Sequence, residues 1–571
     1  MHGSWFWGVF TELMFPALFV LILSQNWFRF DRTERFELDK ISNNIALNLC
    51  LVLQVSILIG LSHNSPRIGI LLLFIIGLGR LIYIRQLKNN FAFFFYGLLP
   101  VTLLSLWGKF PWLANSISRS GGRGIWATWN LDVISWAAIV NEYLISGYGP
   151  SGHLAGVNTY TYNSEAPMIP IFGSAVSTVF NLRSWESASI AMSAAFVITV
   201  LMLAAFVKEV FQGLTQGKCL IISTTVMSSA YMNYIYNSQF FSQIIAIGVF
   251  CFTAKVCIQI LRLSKIEVED WIYLSVLVPL SVYTYPVLLI PHLFIWLMIV
   301  AIGFMYQQKT LWSRTLMQFI ISIGVGIVLS FPILLKSIEQ MRFRANVNAG
   351  WRLDLVDPIT WIFSNRYLLS GVRASITTNL SLWTVFAFLL VILSKRYITE
   401  SKNRFPVLML FAYIVLVITY LIYENDLSSY QSWKFISFIT PIILVVSFAM
   451  LVSLVKNIWY AAPLLLGLCL NPFSYLSVAN NSANYVTAEM VSLSEHPYLK
   501  SFTSVNFSTS PGWQNMMLSI MTEEIEINTV AADLWMKEPD QGAPTVLLRS
   551  QADGIPVEPL VGQFVIFIPN K

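Results

Sequence analysis

The stretch ASIAMSAAFVITVLMLAAFV, residues 188–207, contains no charged side chain. At about 1.5 Å of rise per residue, a helix of this length covers the roughly 30 Å hydrocarbon thickness of a bilayer. Hydrocarbon offers no partner for backbone N–H and C=O groups, so an apolar run of this kind is restricted to the helix, which pairs them internally. The run has many companions. Apolar segments read as spans at roughly 5–24, 43–62, 67–84, 91–107, 188–207, 219–236, 241–261, 271–287, 289–306, 315–335, 379–394, 405–423, 433–455 and 457–471. Only 11% of the residues are charged and 56% are hydrophobic, whereas soluble chains are about 25% charged. The pattern predicts an all-α polytopic membrane protein with about 14 transmembrane helices. The net charge of +6 is spread over loops, which implies membrane lipids as neighbours and no nucleic-acid partner. Cys50, Cys219, Cys251, Cys257 and Cys469 fall in or beside apolar runs without metal-ligand spacing and read as small core residues.

Lysine and arginine collect in cytoplasmic loops. RFDRTERFELDK (29–40), RLIYIRQLK (80–88) and KRYITESKNR (395–404) are basic, and Arg262, Lys265, Lys309 and Arg314 agree with them. This orientation places both termini outside the cytoplasm. Segment 5–24 then reads as a retained anchor, because no small-residue cleavage site follows it. The expected location is a bacterial inner or plasma membrane. The segment PMIPIFGSAVSTVFNL (167–182) is apolar too, but counting it as a span would invert the loops on one side of it. It is short and begins with two prolines, so it is expected to lie at the membrane surface.

Three regions then face outward: 108–187, 336–378 and the tail from about 472 to 571. The tail carries MTEEIEIN and two alternating stretches, PTVLLRS and QFVIFIPN, that read as strands. It is expected to be a small mixed α/β domain. The division is therefore 1–90 as extra N-terminal helices, 91–471 as a helical core with the two external loops, and 472–571 as an extracytoplasmic domain.

Within the first external region stands WNLDVISWAAIVNEYLISGYG, residues 129–149. Asn130 can cap a helix that runs to about Ser146, where Gly147, Gly149 and Pro150 stop it. At about 100° per residue, Asp132, Trp136, Ile139 and Tyr143 share one face, while Glu142 points elsewhere. Asp132 is thus an acid in the first turn of a short external helix. Such a residue gains from the helix dipole, and that alone is one reading of it.

The order of elements carries another reading. A span ends at Trp107, and a long external loop follows with D-x(9)-E-Y-L-x-x-G-Y. Next come Y-x-Y-N-S-E-A-P-M-I-P, a short surface helix, Arg183 and a further span. This order resembles the GT-C superfamily of membrane glycosyltransferases from about Phe91 to the end of the chain. Those enzymes use sugars or oligosaccharides linked to polyprenyl phosphate. The resemblance implies that Asp132 is catalytic, with Gly147, Pro167 and Pro170 in the leader-helix and Pro-rich places. One carboxylate near an acceptor hydroxyl can serve as general base, and the lipid phosphate leaves without a general acid. The partners implied are a polyprenyl-phosphate sugar donor and a glycan, lipid or protein acceptor, as in building a cell-envelope polysaccharide. Many relatives carry an acid in the second external loop; here the stretch reads YIYNSQFFSQ, with Asn237 and Gln239. No cofactor is therefore expected and a metal-independent mechanism is preferred, with a divalent cation left open.

Candidate sugar-binding residues are Glu142, Glu165, Tyr143, Trp136, Asn237 and Gln239. Trp136, with Trp126 and Trp129, suits stacking on a sugar or a place in the aromatic belt. Candidate phosphate ligands are Arg342, Arg344, Arg352, Arg366 and Arg373, together with Lys434 at the mouth of span 433–455. The arginine fork fits phosphate, and a lysine entering a span is costly unless used; anionic lipid head groups and snorkelling are the competing explanations. Tyr283 and Tyr285 either line a lipid groove or pack. A flippase or transporter, or a polysaccharide assembly component without catalysis, remains the alternative class. The near absence of charge inside the spans and of any repeat favours the enzyme.

Overall fold

The computed structural model describes residues 2–27, 37–82, 87–113, 132–148, 168–237, 241–262, 268–285, 309–346, 376–401, 404, 406–411, 429–455, 470–475, 486–509, 514, 517–518, 521–522, 526–529 and 542–569. The helices are α1 (His2–Leu23), α2 (Leu38–Leu61), α3 (Arg67–Ile82), α4 (Leu87–Phe93), α5 (Leu99–Gly108), α6 (Asp132–Ser146), α7 (Met168–Phe180) and α8 (Ser184–Val210). After them come α9 (Gln216–Met227), α10 (Ala230–Asn237), α11 (Phe241–Arg262), α12 (Val268–Thr284), α13 (Lys309–Asn346), α14 (Ile376–Ser401), α15 (Ser429–Leu454) and α16 (Ala488–Ser494).

Helix α8 is the axis of the bundle. It is apolar enough to cross a membrane and its apolar stretch is buried inside the protein, as is that of Phe241–Gln259 in α11. The two pack closely because Gly248 leaves no side chain between them: a Cβ there would sit 3.0 Å from the Thr199 Cα. The Thr199 hydroxyl donates to the Ile244 carbonyl at 2.9 Å. A small residue at the crossing and a hydroxyl bond across it are the usual means of joining helices where lipid gives no hydrophobic drive. Around this pair, α1, α2, α5, α9, α12 and α15 contribute to one continuous apolar core. The first three helices belong to that core and pack directly against α7, α8 and α12.

Among the described residues, five helices are long and apolar enough to cross a membrane: Phe6–Leu23, Leu38–Leu61, Asn89–Gly108, Ser184–Val210 and Phe241–Gln259. Trp271–Thr284, Leu316–Phe331 and Pro441–Leu454 are shorter apolar helices at three of the other expected positions. The expected spans at 289–306 and most of 405–423 and 457–471 lie outside the described residues.

Two expectations from the sequence need correction. The run 219–236 is two helices, broken at Ser228–Ser229. Serine competes with the helix for backbone partners, and here the Met232 N–H donates to the Ser229 hydroxyl at 3.4 Å. The Ser228 carbonyl instead accepts from the side-chain amides of Asn233 at 3.0 Å and Asn471 at 2.9 Å. The second correction concerns 336–378, whose first part is not a loop, since α13 continues to Asn346. The sequence from Leu334 to Ala345 is dominated by strong helix formers such as Leu, Lys, Glu, Gln, Met, Arg and Ala, so propensity carries the helix beyond the apolar stretch.

Segment 167–182 forms α7 over Met168–Phe180, closed by Asn181 at φ 51°. Its residues are mostly buried against α3, α6 and α8. At about 1.5 Å per residue it is near 20 Å long, too short to cross. Between α4 and α5 lies a π turn, Phe94–Leu98, in which the Leu99 N–H reaches back to the Phe94 carbonyl. Pro100 follows at once; it has no N–H and its ring clashes with the preceding turn, which a wider turn relieves.

The C-terminal unit is α/β, as its sequence suggested. Strands β1 (Ser504–Phe507), β2 (Glu526–Thr529), β3 (Thr545–Leu548), β4 (Glu558–Val561) and β5 (Phe564–Phe567) form one sheet in the order β2-β1-β3-β5-β4. β1 is parallel to both β2 and β3, while β5 is antiparallel to β3 and β4. PTVLLRS and QFVIFIPN supply β3 and β5, paired from Thr545–Phe567 to Leu548–Phe564.

Candidate functional site

Helix α6 begins at Asp132 and ends at Ser146. Its far end is locked. Gly147 has φ +59° and its N–H donates to the Tyr143 carbonyl at 2.9 Å, a left-handed helix end that favours glycine. A Cβ there would lie 2.7 Å from both the Asn64 carbonyl oxygen and the Gly60 Cα. That contact is the turn between α2 and α3. The same turn is bonded by the Tyr148 N–H to the Gly60 carbonyl at 3.0 Å and by the Ser65 hydroxyl to the Leu144 carbonyl at 2.6 Å. The Tyr143 hydroxyl donates to the Ser56 carbonyl at 2.6 Å, and its ring meets Tyr148 edge-on at 5.2 Å. Burial pushes both phenols above their ordinary pKa, so they stay protonated.

The faces of α6 serve different neighbours. Trp136 meets the Phe241 ring edge-on at 6.3 Å, and Phe241 in turn meets Phe172 of α7 at 5.3 Å. On another side, Ala137 and Ala138 join Trp185 in the apolar core of the C-terminal unit, with Met490, Leu493, Val505, Phe507 and Phe564. An ion pair lies at the same joint: the Arg183 guanidinium is 3.2 Å from the Glu495 carboxylate. Glu142, one turn beyond Ala138, is buried, only 1% exposed.

A buried polar cluster occupies the bundle just after α5. The Lys109 ammonium donates to the Ser189 carbonyl at 2.6 Å, the Ser193 hydroxyl at 2.7 Å, the Ser189 hydroxyl at 2.9 Å and the Glu12 carboxylate at 3.3 Å. Both charged side chains are 3% exposed. The Tyr236 hydroxyl bonds Ser105 and, at 3.1 Å, Ser193. Close by in the chain, the Trp112 indole N–H donates to the Asn237 side-chain carbonyl at 2.9 Å, and the Asn237 amide donates to the Asn233 carbonyl at 2.9 Å.

Of the residues expected to form the site, Asp132 opens α6 and Trp136 and Tyr143 follow on it. Trp136 packs against Phe241, the first residue of α11, and Asn237 ends α10. Tyr143 and Asn237 are buried and hydrogen-bonded within the protein. Tyr283 is buried too; its hydroxyl donates to the Leu329 carbonyl at 2.9 Å and accepts from Gln54 at 2.8 Å. Arg342 and Arg344 belong to α13 and Lys434 to α15. The side chains of Asp132, Arg342, Arg344 and Lys434, and the whole of Glu165, Gln239, Arg352, Arg366 and Arg373, lie outside the described residues. Sequence reasoning missed Glu12 and Lys109. The available signal was one acid within an apolar helix and one lysine immediately after another, which together suggest a pair.

Among the described residues, no three His, Cys, Asp or Glu side chains gather as a metal site would require. Compared with known proteins, the sequence matches no protein-family model and no curated protein.

Proposed function

We propose that the chain is a membrane glycosyltransferase that moves a sugar from a polyprenyl-phosphate donor to an acceptor hydroxyl on the extracytoplasmic side, with Asp132 as general base. The acceptor oxygen attacks the anomeric carbon as the bond from that carbon to the phosphate oxygen breaks. Polyprenyl phosphate leaves with the electron pair, and the hydroxyl proton passes to the Asp132 carboxylate. The observation that carries the reading is the fixing of α6: a helix that starts with this acid is locked at its far end and packed against both the bundle and a folded unit. A general base must be held in place to be effective. A carrier would instead use charge inside the bundle. There the buried Glu12–Lys109 pair is sealed by two serines, which suits a structural tie better than a transport path.

The test is Asp132→Asn in the purified protein. This change keeps the shape and removes the basicity. A positioned base contributes roughly 10²–10⁴-fold, so transfer from a polyprenyl-phosphate sugar is expected to slow at least about a hundredfold, with donor binding retained. Transfer within a few-fold of the parent would remove Asp132 from the mechanism.

A further inference from the structure

The C-terminal unit does not stand apart from the membrane helices. Ala137 and Ala138 of α6 are buried in the same apolar cluster as its sheet and helix residues, and so is Trp185 from the first turn of α8. The two alanines give α6 a flat side that a neighbouring element can approach closely. Arg183, just before α8, adds its ion pair to Glu495, just after α16. The opposite side of α6 is held by the bundle through Trp136 and Tyr143. The helix is therefore gripped between two bodies, while its first residue is the proposed base.

From this we infer that the C-terminal unit is a positioning part of the catalytic site: it clamps α6 and so sets where Asp132 stands. Ala137, Ala138, Trp185 and the Arg183–Glu495 pair are its positioning residues; none needs to touch substrate. The inference rests on the glycosyltransferase reading for its catalytic half and on packing alone for its clamp half. Catalytic geometry is sensitive to displacements of about 1 Å, so loosening the clamp should lower turnover more than substrate binding.

The experiment uses the full chain in nanodiscs with Ala138→Leu, Ala138→Ser, Arg183→Glu, Glu495→Arg and the Arg183→Glu/Glu495→Arg exchange. Hydrogen exchange of the α6 amides and the kcat and KM for a polyprenyl-phosphate sugar are measured on each. Ala138→Leu should speed α6 exchange at least about tenfold, leave α8 protected and lower kcat about tenfold or more at unchanged donor KM. Ala138→Ser, which adds one hydroxyl to the same buried joint, should shift α6 exchange and kcat in the same direction but by less. The charge exchange should recover much of what either single reversal loses, which keeps the test open if Ala138→Leu fails to fold. Unchanged α6 protection in Ala138→Leu and in both single reversals overturns the clamp. Faster exchange at unchanged kcat overturns the positioning role. A parent that transfers no sugar while α6 loosens as expected upholds the clamp and sinks the glycosyltransferase reading instead.

Discussion

Glu12 and Lys109 show how much depends on single residues in a chain with so few charges. A buried ion placed in a low-dielectric interior is tolerated only when every donor and acceptor is used, and the Lys109 ammonium meets four acceptors. Removing one partner strands the other. Lys109→Met alone is expected to cost about 3–5 kcal/mol in unfolding free energy measured in mild detergent. Adding Glu12→Leu should return the protein to within about 1 kcal/mol of the parent, because an apolar pair of similar volume is often neutral. If the double variant is as unstable as the single one, the pair does more than neutralise itself. The same logic explains why Asn237, read as a sugar ligand from its position, is occupied elsewhere. A buried amide needs partners, and Trp112 and Asn233 supply them.

The elements that the sequence located well are those whose signals are local. The stop of α6 follows from Gly147, and β3 and β5 follow from period-two alternation in PTVLLRS and QFVIFIPN. Whatever depends on contacts distant in sequence stayed hidden. Nothing in GLSHNSP announces that the turn between α2 and α3 receives the end of α6, and Ala137 and Ala138 do not reveal which body they face. The length of α13 was missed for another reason: hydropathy marks where a helix is apolar, not where it ends. The α6 joint gives a direct check. Gly147→Ala must bear a left-handed backbone, worth about 1–2 kcal/mol, and a Cβ at 2.7 Å from backbone atoms of Gly60 and Asn64. A loss of about 2 kcal/mol or more is expected in thermal unfolding. Gly213→Ala is the control, since a Cβ there meets nothing within 4 Å, and it should be nearly neutral.

Across the whole molecule, contacts sort the helix ends into two groups. The α2–α3 turn, the end of α6, Ser228 with Asn471, and Arg183 with Glu495 gather at one end. Asn26 with Arg80, Asp39 with Lys255, and Phe211 with Tyr397 gather at the other. If the first group is extracytoplasmic, as the loop charges suggest, single cysteines replacing Ser151 and Ser510 in a cysteine-free background should both react with an impermeant thiol reagent in intact cells. One replacing Thr399 should react only after permeabilisation. Labelling of Thr399→Cys in intact cells, with protection of the other two, would invert the orientation. The π turn of Phe94–Leu98 lies on one of the paths between these two ends. Bonding five residues apart admits one residue beyond the α repeat, and one residue is about 100° of rotation. The residues of α5 beyond it are thereby indexed to a new azimuth, and Lys109, which meets Glu12 at 3.3 Å, directly follows that helix.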